Sequence, residues 1–292
     1  SPAAGSSGGA GPSSSDDDGT SPLPERIKLD DVSIEIYGGP LPEDLVRDHA
    51  QPTPIKGIPP SDLKQARQLL QSHFCRQCSS YNRILIDALL ERKLPQGESR
   101  EQPANFNKVK GSGGGMVNSP SCEELQDVCV GLARCNGDVV GVVCFSLVRA
   151  NRRSKAYCAA EIILFRVGRP DSWNPNLTVE GQGIGTRMFT EVQEFVVKQA
   201  RANILVVLSA DPASANDNWW IRRLESRGIK WQEAKTQREL VSAINVSSAH
   251  LPQAFWVPWP MDGDDARSGD EIVALTVTCA EIKRIVQLEE RQ

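Results

Sequence analysis

The chain has 292 residues, 39% of them hydrophobic, which is enough for one or two domains with a substantial core. No stretch is long and apolar enough for a membrane-crossing helix, so no membrane partner is expected. The formal net charge of −4, most of it from Asp16, Asp17 and Asp18, excludes nucleic-acid binding by bulk charge and suits a cationic substrate.

Residues 1–24 are rich in Ala, Gly and Ser, with almost no large apolar side chain, and are expected to form a disordered tail. Residues 25–292 then read as one domain. "DVSIEIYGG" alternates like a strand. "PPSDLKQARQLLQSHF" carries Leu63, Ala66, Leu69, Leu70 and Phe74 at helical spacing behind Ser61, and "YNRILIDALLERKL" reads as a second helix. Residues 95–121 are polar and glycine-rich, a flexible surface loop.

A meander follows. "DVCVGLARCNG" and "DVVGVVCFSLVRA" are strands joined at Asn136-Gly137, a strong hairpin-turn pair. "SKAYCAAEIILFRV" is a third strand. After a Pro/Asn-rich loop, "TVEGQGIGTRMF" opens a helix whose apolar face is Ile184, Met188, Val192, Phe195 and Val196. "ANILVVLSA" is a nearly unbroken apolar strand, the pattern of a buried or parallel neighbour. The helix "NDNWWIRRLESRG" ends on Gly228. Residues 232–292 form a C-terminal extension with a strand in "DEIVALTV" and a last helix in "CAEIKRIVQLEERQ".

The glycine stretch fits neither a dinucleotide fingerprint, where Thr186 stands at the third glycine, nor a P-loop, since no Lys follows. With the order of elements, it resembles the GNAT acetyltransferase superfamily from Val32 to Trp231. That resemblance implies an α/β (α+β) fold: a mixed, mostly antiparallel central sheet flanked by helices, with a strand splay holding acetyl-CoA. Glu180, Gly181, Gln182, Gly183, Ile184 and Gly185 match the family's Arg/Gln-x-x-Gly-x-Gly/Ala loop, with Glu180 in place of the usual Arg/Gln. Glycines let backbone N–H groups approach a pyrophosphate, and a helix N-terminus adds partial positive charge. The resemblance thus assigns Glu180 to Thr186 to the coenzyme A pyrophosphate. The strand residues Phe165, Arg166 and Val167 fall to the thioester carbonyl and pantetheine, and Asn218 lines the site.

"CAAEIILF" is similar to the Ala-Glu-Ile strand of nuclear PCAF-type histone acetyltransferases, whose glutamate is the general base; Glu161 holds that place. Strict alternation puts Ala159, Ile163 and Phe165 on its face, an apolar setting of the kind that tunes a general base. The bland alternative is a solvated strand carboxylate. Where many relatives carry a tyrosine that protonates the leaving thiolate, this chain has Arg223. The implied reaction is acetyl transfer from acetyl-CoA to a protein lysine, by direct transfer with Glu161 as base. The implied substrate is a basic histone-type tail, the compartment the nucleus with the cytoplasm as alternative. The Ala/Gly/Ser-rich tail loosely resembles kinetochore-associated members and implies a chromatin or kinetochore complex. A small-molecule or N-terminal amine acetyltransferase, or a GNAT-fold scaffold without catalysis, stays open.

Other features point less far. Cys75 and Cys78 form a Cys-x-x-Cys pair beside His73, but a structural zinc needs four ligands and no second pair follows, so no metal is expected. The eight cysteines are scattered along strands and helices, which suits reduced thiols. "FWVPWP", Phe255 to Pro260, either walls a substrate groove or packs over the sheet.

Overall fold

The computed structural model describes residues 25–39, 55, 57–74, 79–92, 127–149, 156–169, 177–209, 218–234, 237–244 and 273–291. The tail at 1–24, the loop at 95–121, Cys75, Cys78 and the aromatic-proline segment lie outside these residues. The strands are β1 (Glu25–Arg26), β2 (Val32–Tyr37), β3 (Val128–Cys135), β4 (Asp138–Arg149), β5 (Tyr157–Val167), β6 (Leu177–Thr178), β7 (Ile204–Ser209), β8 (Gln232–Ala234) and β9 (Val273–Thr278). The helices are α1 (Pro60–Phe74), α2 (Ser79–Glu91), α3 (Ile184–Phe195), α4 (Trp219–Ser226), α5 (Gln237–Ile244) and α6 (Cys279–Glu289), and α3 runs on into a π turn at Val196–Ala200.

Seven strands form one sheet in the order β2-β3-β4-β5-β7-β9-β8, and its ladder is antiparallel except for the β5–β7 pair. This is the expected fold class. The meander follows from local chemistry: Asn136 and Gly137 take φ of 53° and 89°, the left-handed pair of a tight hairpin turn. The parallel β5–β7 contact needs a crossover, and the glycine loop with α3 supplies it. β1 and β6 form a separate two-stranded parallel sheet.

Apolar layers cover both faces. On one, Ile184, Met188, Phe189, Val192 and Phe195 of α3 pack with Ile221 and Leu224 of α4 and Ile282 of α6 over Cys129, Val143, Phe145, Ala160 and Ile162. On the other, Ala66, Leu69 and Leu70 of α1 and Ile86, Leu89 and Leu90 of α2 cover Val130, Leu132, Val142, Cys144 and Leu164. Leu240 of α5 closes a smaller cluster with Ile204, Val206 and Ala274. Each large aliphatic side chain moved fully out of water contributes about 1.5–3 kcal/mol, so these layers dominate the stability.

Polar ties set the helices on the sheet. Arg134 Nε donates to Asp62 Oδ2 at 2.6 Å and its Nη2 to the Tyr37 hydroxyl, pinning the start of α1 to β2 and β3. Arg227, the C-cap of α4, donates to Gln193 of α3 and, at 2.5 Å, to Glu289 Oε2 of α6. Where β5 begins, Asp127 Oδ1 accepts from Arg149 Nη2 at 2.7 Å and from the Tyr157 hydroxyl at 3.0 Å. Burial raises the Asp127 carboxyl to about 6 even though Arg149 pulls it down.

Candidate functional site

β5 and β7 pair only from Ala159↔Ile204 to Ile162↔Val207. Beyond that point β5 keeps its partner β4 through Val167, and β7 keeps β9 through Ser209. The two neighbours therefore splay apart, leaving a gap at their C-terminal ends. The Gly168 amide donates to Val140 O at 3.0 Å, so alternate residues of this stretch turn their backbone groups toward β4. By the same alternation the N–H groups of Phe165 and Val167 face the gap, where β7 has left them. Arg166 turns its backbone to β4 instead.

The glycine loop lies beside this gap. Val179 is buried, Glu180 is exposed, and Gly181 and Gly183 take φ of 76° and 82°, a left-handed geometry that favours glycine. Gly183 caps α3 without any side-chain hydrogen bond, and the first intrahelical bond runs from Arg187 N to Gly183 O at 3.0 Å. The amides of the first turn thus have no intrahelical acceptor, and among the described residues no side chain caps them. A Cβ on Gly181 would meet nothing within 4 Å, so the outer loop is open to a ligand. Gly185 has a packing role besides its amide. It lies inside the helix, where a Cβ would sit 3.6 Å from both Phe165 and Val167 side chains and 3.3 Å from Trp219. The third glycine serves close helix–strand packing, and the first two shape the loop. Ile184 is buried in the core, leaving only its backbone for a ligand, while Gln182 and Thr186 are half-buried. Coenzyme A fits these residues: unspent amides at a helix N-terminus, an open loop and a strand gap alongside.

α4 forms the inner wall. Trp219 and Trp220 meet edge to face at 4.8 Å, and both lie near the Phe165 ring, at 5.5 and 5.1 Å. Arg223 stacks over Trp219 with Cζ 5.7 Å from the ring centre, and its buried Nε has no hydrogen-bond partner among the described residues. Asn218 is fully buried, but its side-chain oxygen accepts from the Trp220 and Ile221 amides at 3.1 and 3.2 Å. It is the N-cap of α4, so it builds the wall of the gap. The two tryptophans were missed by motif reading, although the Trp-Trp pair after Asn218 was the visible signal.

Glu161 is not a solvated strand carboxylate; it is fully buried. It stands on β5 between Ser146 of β4 and Val206 of β7, one residue before the last β5–β7 pair. The face expected from strict alternation is corrected here for Phe165. Cys144 pairs with Leu164 but Phe145 pairs with Ile162, so Ile163 is the extra residue of a bulge. Ala159 and Ile163 lie on the Glu161 side as expected, but past the bulge the phase is reversed: Leu164 and Arg166 join that side, while Phe165, with Val167, points to the glycine-loop side. The Arg166 side chain accordingly lies on the α1 side, folded over Gly168, and does not reach the loop. Cys158 is buried with its thiol on Val148 O at 3.2 Å, and burial raises that thiol to about 11, so it is no nucleophile. Among the described residues no group of three or more His, Cys, Asp or Glu could hold a metal ion, and no helix is long and apolar enough to cross a membrane.

No family model matches the sequence, and neither does any curated protein. Solved structures do resemble it in chain course. A putative acetyltransferase of the GNAT family from Desulfovibrio desulfuricans is 12% identical over 85% of this chain and 99% of its own, with a TM-score of 0.42. Arabidopsis thaliana NAA60 in complex with acetyl-CoA is 10% identical over 85% of this chain and 97% of its own, with a TM-score of 0.38. An aminoglycoside 6'-acetyltransferase type Ii is 10% identical over 75% of this chain and 91% of its own, also at 0.38. At such identities the likeness is one of chain course alone.

Proposed function

We propose that the chain is an acetyl-CoA-dependent N-acetyltransferase of GNAT type. The observation that carries this is the coincidence of two features: the β5–β7 ladder ends at Ile162↔Val207, and an uncapped helix N-terminus with two left-handed glycines stands beside the gap. When bound, acetyl-CoA supplies an activated acetyl thioester. The amides from Gly181 to Thr186 hold its pyrophosphate. The Phe165 and Val167 N–H groups orient the pantetheine and the thioester carbonyl, an arrangement that favours developing negative charge on that oxygen. Arg223, one indole away from Phe165, adds positive charge on the same side.

An acceptor amine has an ordinary pKa of about 10.4 and must shed a proton before it attacks. The Glu161 carboxylate takes that proton, directly or through water. For the acceptor we propose a lysine on a basic, histone-type protein tail, with the nucleus as compartment and a chromatin or kinetochore complex as partner. Support for this comes from the likeness of "CAAEIILF" to the glutamate strand of nuclear lysine acetyltransferases and from the net charge of −4. Calorimetric titration with acetyl-CoA tests the cofactor. Incubation with histone tails, free N-terminal peptides and diamines, read by mass spectrometry, tests the acceptor. Binding without acetylation of any amine would leave a scaffold; acetylation of small amines alone would refute the protein-lysine assignment.

A further inference from the structure

Residues 25–32 are tied to the glycine loop in three ways that share no atoms. β1 pairs with β6, the two residues leading into the loop, through Glu25↔Leu177 and Arg26↔Thr178. Arg187, in the first turn of α3, reaches back so that its Nη1 donates to Leu29 O at 2.7 Å and to Val32 O at 2.9 Å. Leu29 then rests against the loop, its Cδ2 3.9 Å from where a Gly183 Cβ would be. Beneath them Ile27 and Val179 are buried in the same core.

Leu29 nevertheless stays 37% exposed, one of two large hydrophobic side chains so exposed among the described residues. The chain thus holds a leucine in water at the rim of unspent helix amides, and a guanidinium keeps its carbonyl in place. Two carbonyls gathered by one nitrogen need a donor with two hydrogens and a fixed plane, which arginine has. We propose that Glu25–Val32 is the outer wall of the cofactor cradle, with Arg187 as its positioning residue and Leu29 as the contact for the base of the bound nucleotide. This rests on the acetyl-CoA reading above. An apolar side chain beside a phosphate loop matches the flat, weakly polar face of a purine, and burying it there removes its exposed surface from water.

The test uses the full chain and three variants, Leu29→Ala, Arg187→Gln and Arg187→Lys. Each is titrated with acetyl-CoA and with acetylated pantetheine phosphate, which lacks the nucleotide. In Leu29→Ala, an exposed position where the fold should hold, acetyl-CoA affinity is expected to fall about three- to tenfold while the truncated ligand binds as before. In Arg187→Gln, hydrogen exchange of residues 180–186 in the ligand-free protein should accelerate and acetyl-CoA affinity fall about tenfold, with Arg187→Lys restoring part of both. Equal loss of both ligands in Leu29→Ala overturns the base contact. Loop exchange identical to wild type in Arg187→Gln overturns the positioning role; if that variant does not fold, Arg187→Lys, whose ammonium lacks the fixed plane, should still show a partial loss, and wild-type exchange and affinity there overturn the role instead. Failure of the cofactor reading looks different: the wild-type protein itself takes up no acetyl-CoA, and the wall then has no ligand to face.

Discussion

A Cβ placed on Gly185 would stand 3.3 Å from Trp219 Cζ2, so the missing side chain sets how closely α4 approaches α3. Gly185→Val should force Trp219 outward and disturb the aromatic cluster with Phe165. A stability loss of about 1–3 kcal/mol is expected, as for other overpacked sites. Urea denaturation followed by tryptophan fluorescence measures it; an unchanged midpoint would mean that Trp219 yields freely.

Gly183 differs, because its φ of 82° and not its packing demands glycine. Gly183→Val puts a branched side chain in the left-handed region, at a cost of about 1–2 kcal/mol. It also places carbon where phosphate oxygens are to lie. The variant should remain folded and lose at least about tenfold in acetyl-CoA affinity. Titration at equal folded concentration decides, and wild-type affinity would remove the pyrophosphate from this loop. Glu180→Gln makes the converse change: it removes a like charge from the exposed loop, so acetyl-CoA affinity should rise by about 1 kcal/mol, and an unchanged affinity would mean that the carboxylate points away from the ligand.

Glu161→Gln keeps shape and packing but cannot accept a proton. With Glu161 as base, turnover should fall by about 10²- to 10⁴-fold while acetyl-CoA affinity is kept. The deficit should shrink as pH rises, because solution then supplies the neutral amine. Rates for the two proteins measured from pH 6 to about 9 test this; parallel profiles of equal height would remove Glu161 from the mechanism.

The Asp127 carboxyl is held at about 6 in the folded chain, above its ordinary 3.8, with burial as the main cause. The folded state therefore binds this proton more tightly than the unfolded one. Its contribution to stability is present below 3.8 and is lost as pH rises through about 6. Asp127→Asn stays neutral throughout, so the variant should gain on wild type across that window and hold its gain above it. Chemical denaturation at several pH values follows the difference; a constant gap would place the carboxyl at its ordinary value.

Asn218→Ala leaves the Trp220 and Ile221 amides without their buried acceptor at the start of an eight-residue helix. A loss of about 1–2 kcal/mol is expected, with acetyl-CoA binding weakened only through the shifted tryptophans. Asn218→Asp should restore most of the stability. Thermal melts of the pair check the capping role, and equal melting of all three proteins would deny it.

Much of this architecture was legible beforehand because its signals are local. Asn136-Gly137 fixes a hairpin within a few residues, and the apolar stripe of α3 from Ile184 to Val196 has helical period. The unbroken apolar run of β7 gave no side preference, which is how a strand buried on both faces reads. The bulge at Ile163 was hidden for the same reason: in "EIILF" every neighbour is apolar, so a change of phase leaves no trace. β1 and β6 are too short to carry any period. The Arg187 contacts reach more than 150 residues back along the chain and no local pattern announces them. The glycine loop was found as a unit, yet only the backbone angles separate the two glycines that bend from the one that packs.

Mechanically, the large sheet is two plates. One carries β2 to β5, the other β7, β9 and β8, and four residue pairs from Ala159↔Ile204 to Ile162↔Val207 form the seam between them. Glu161 sits in that seam, and the gap opens from its end. A small rotation of one plate against the other is therefore magnified with distance from the seam, where Phe165 and Val167 face the opening. Residues that brace the plates across the helices, such as Arg227 between α3, α4 and α6, set the width of the gap without touching whatever enters it.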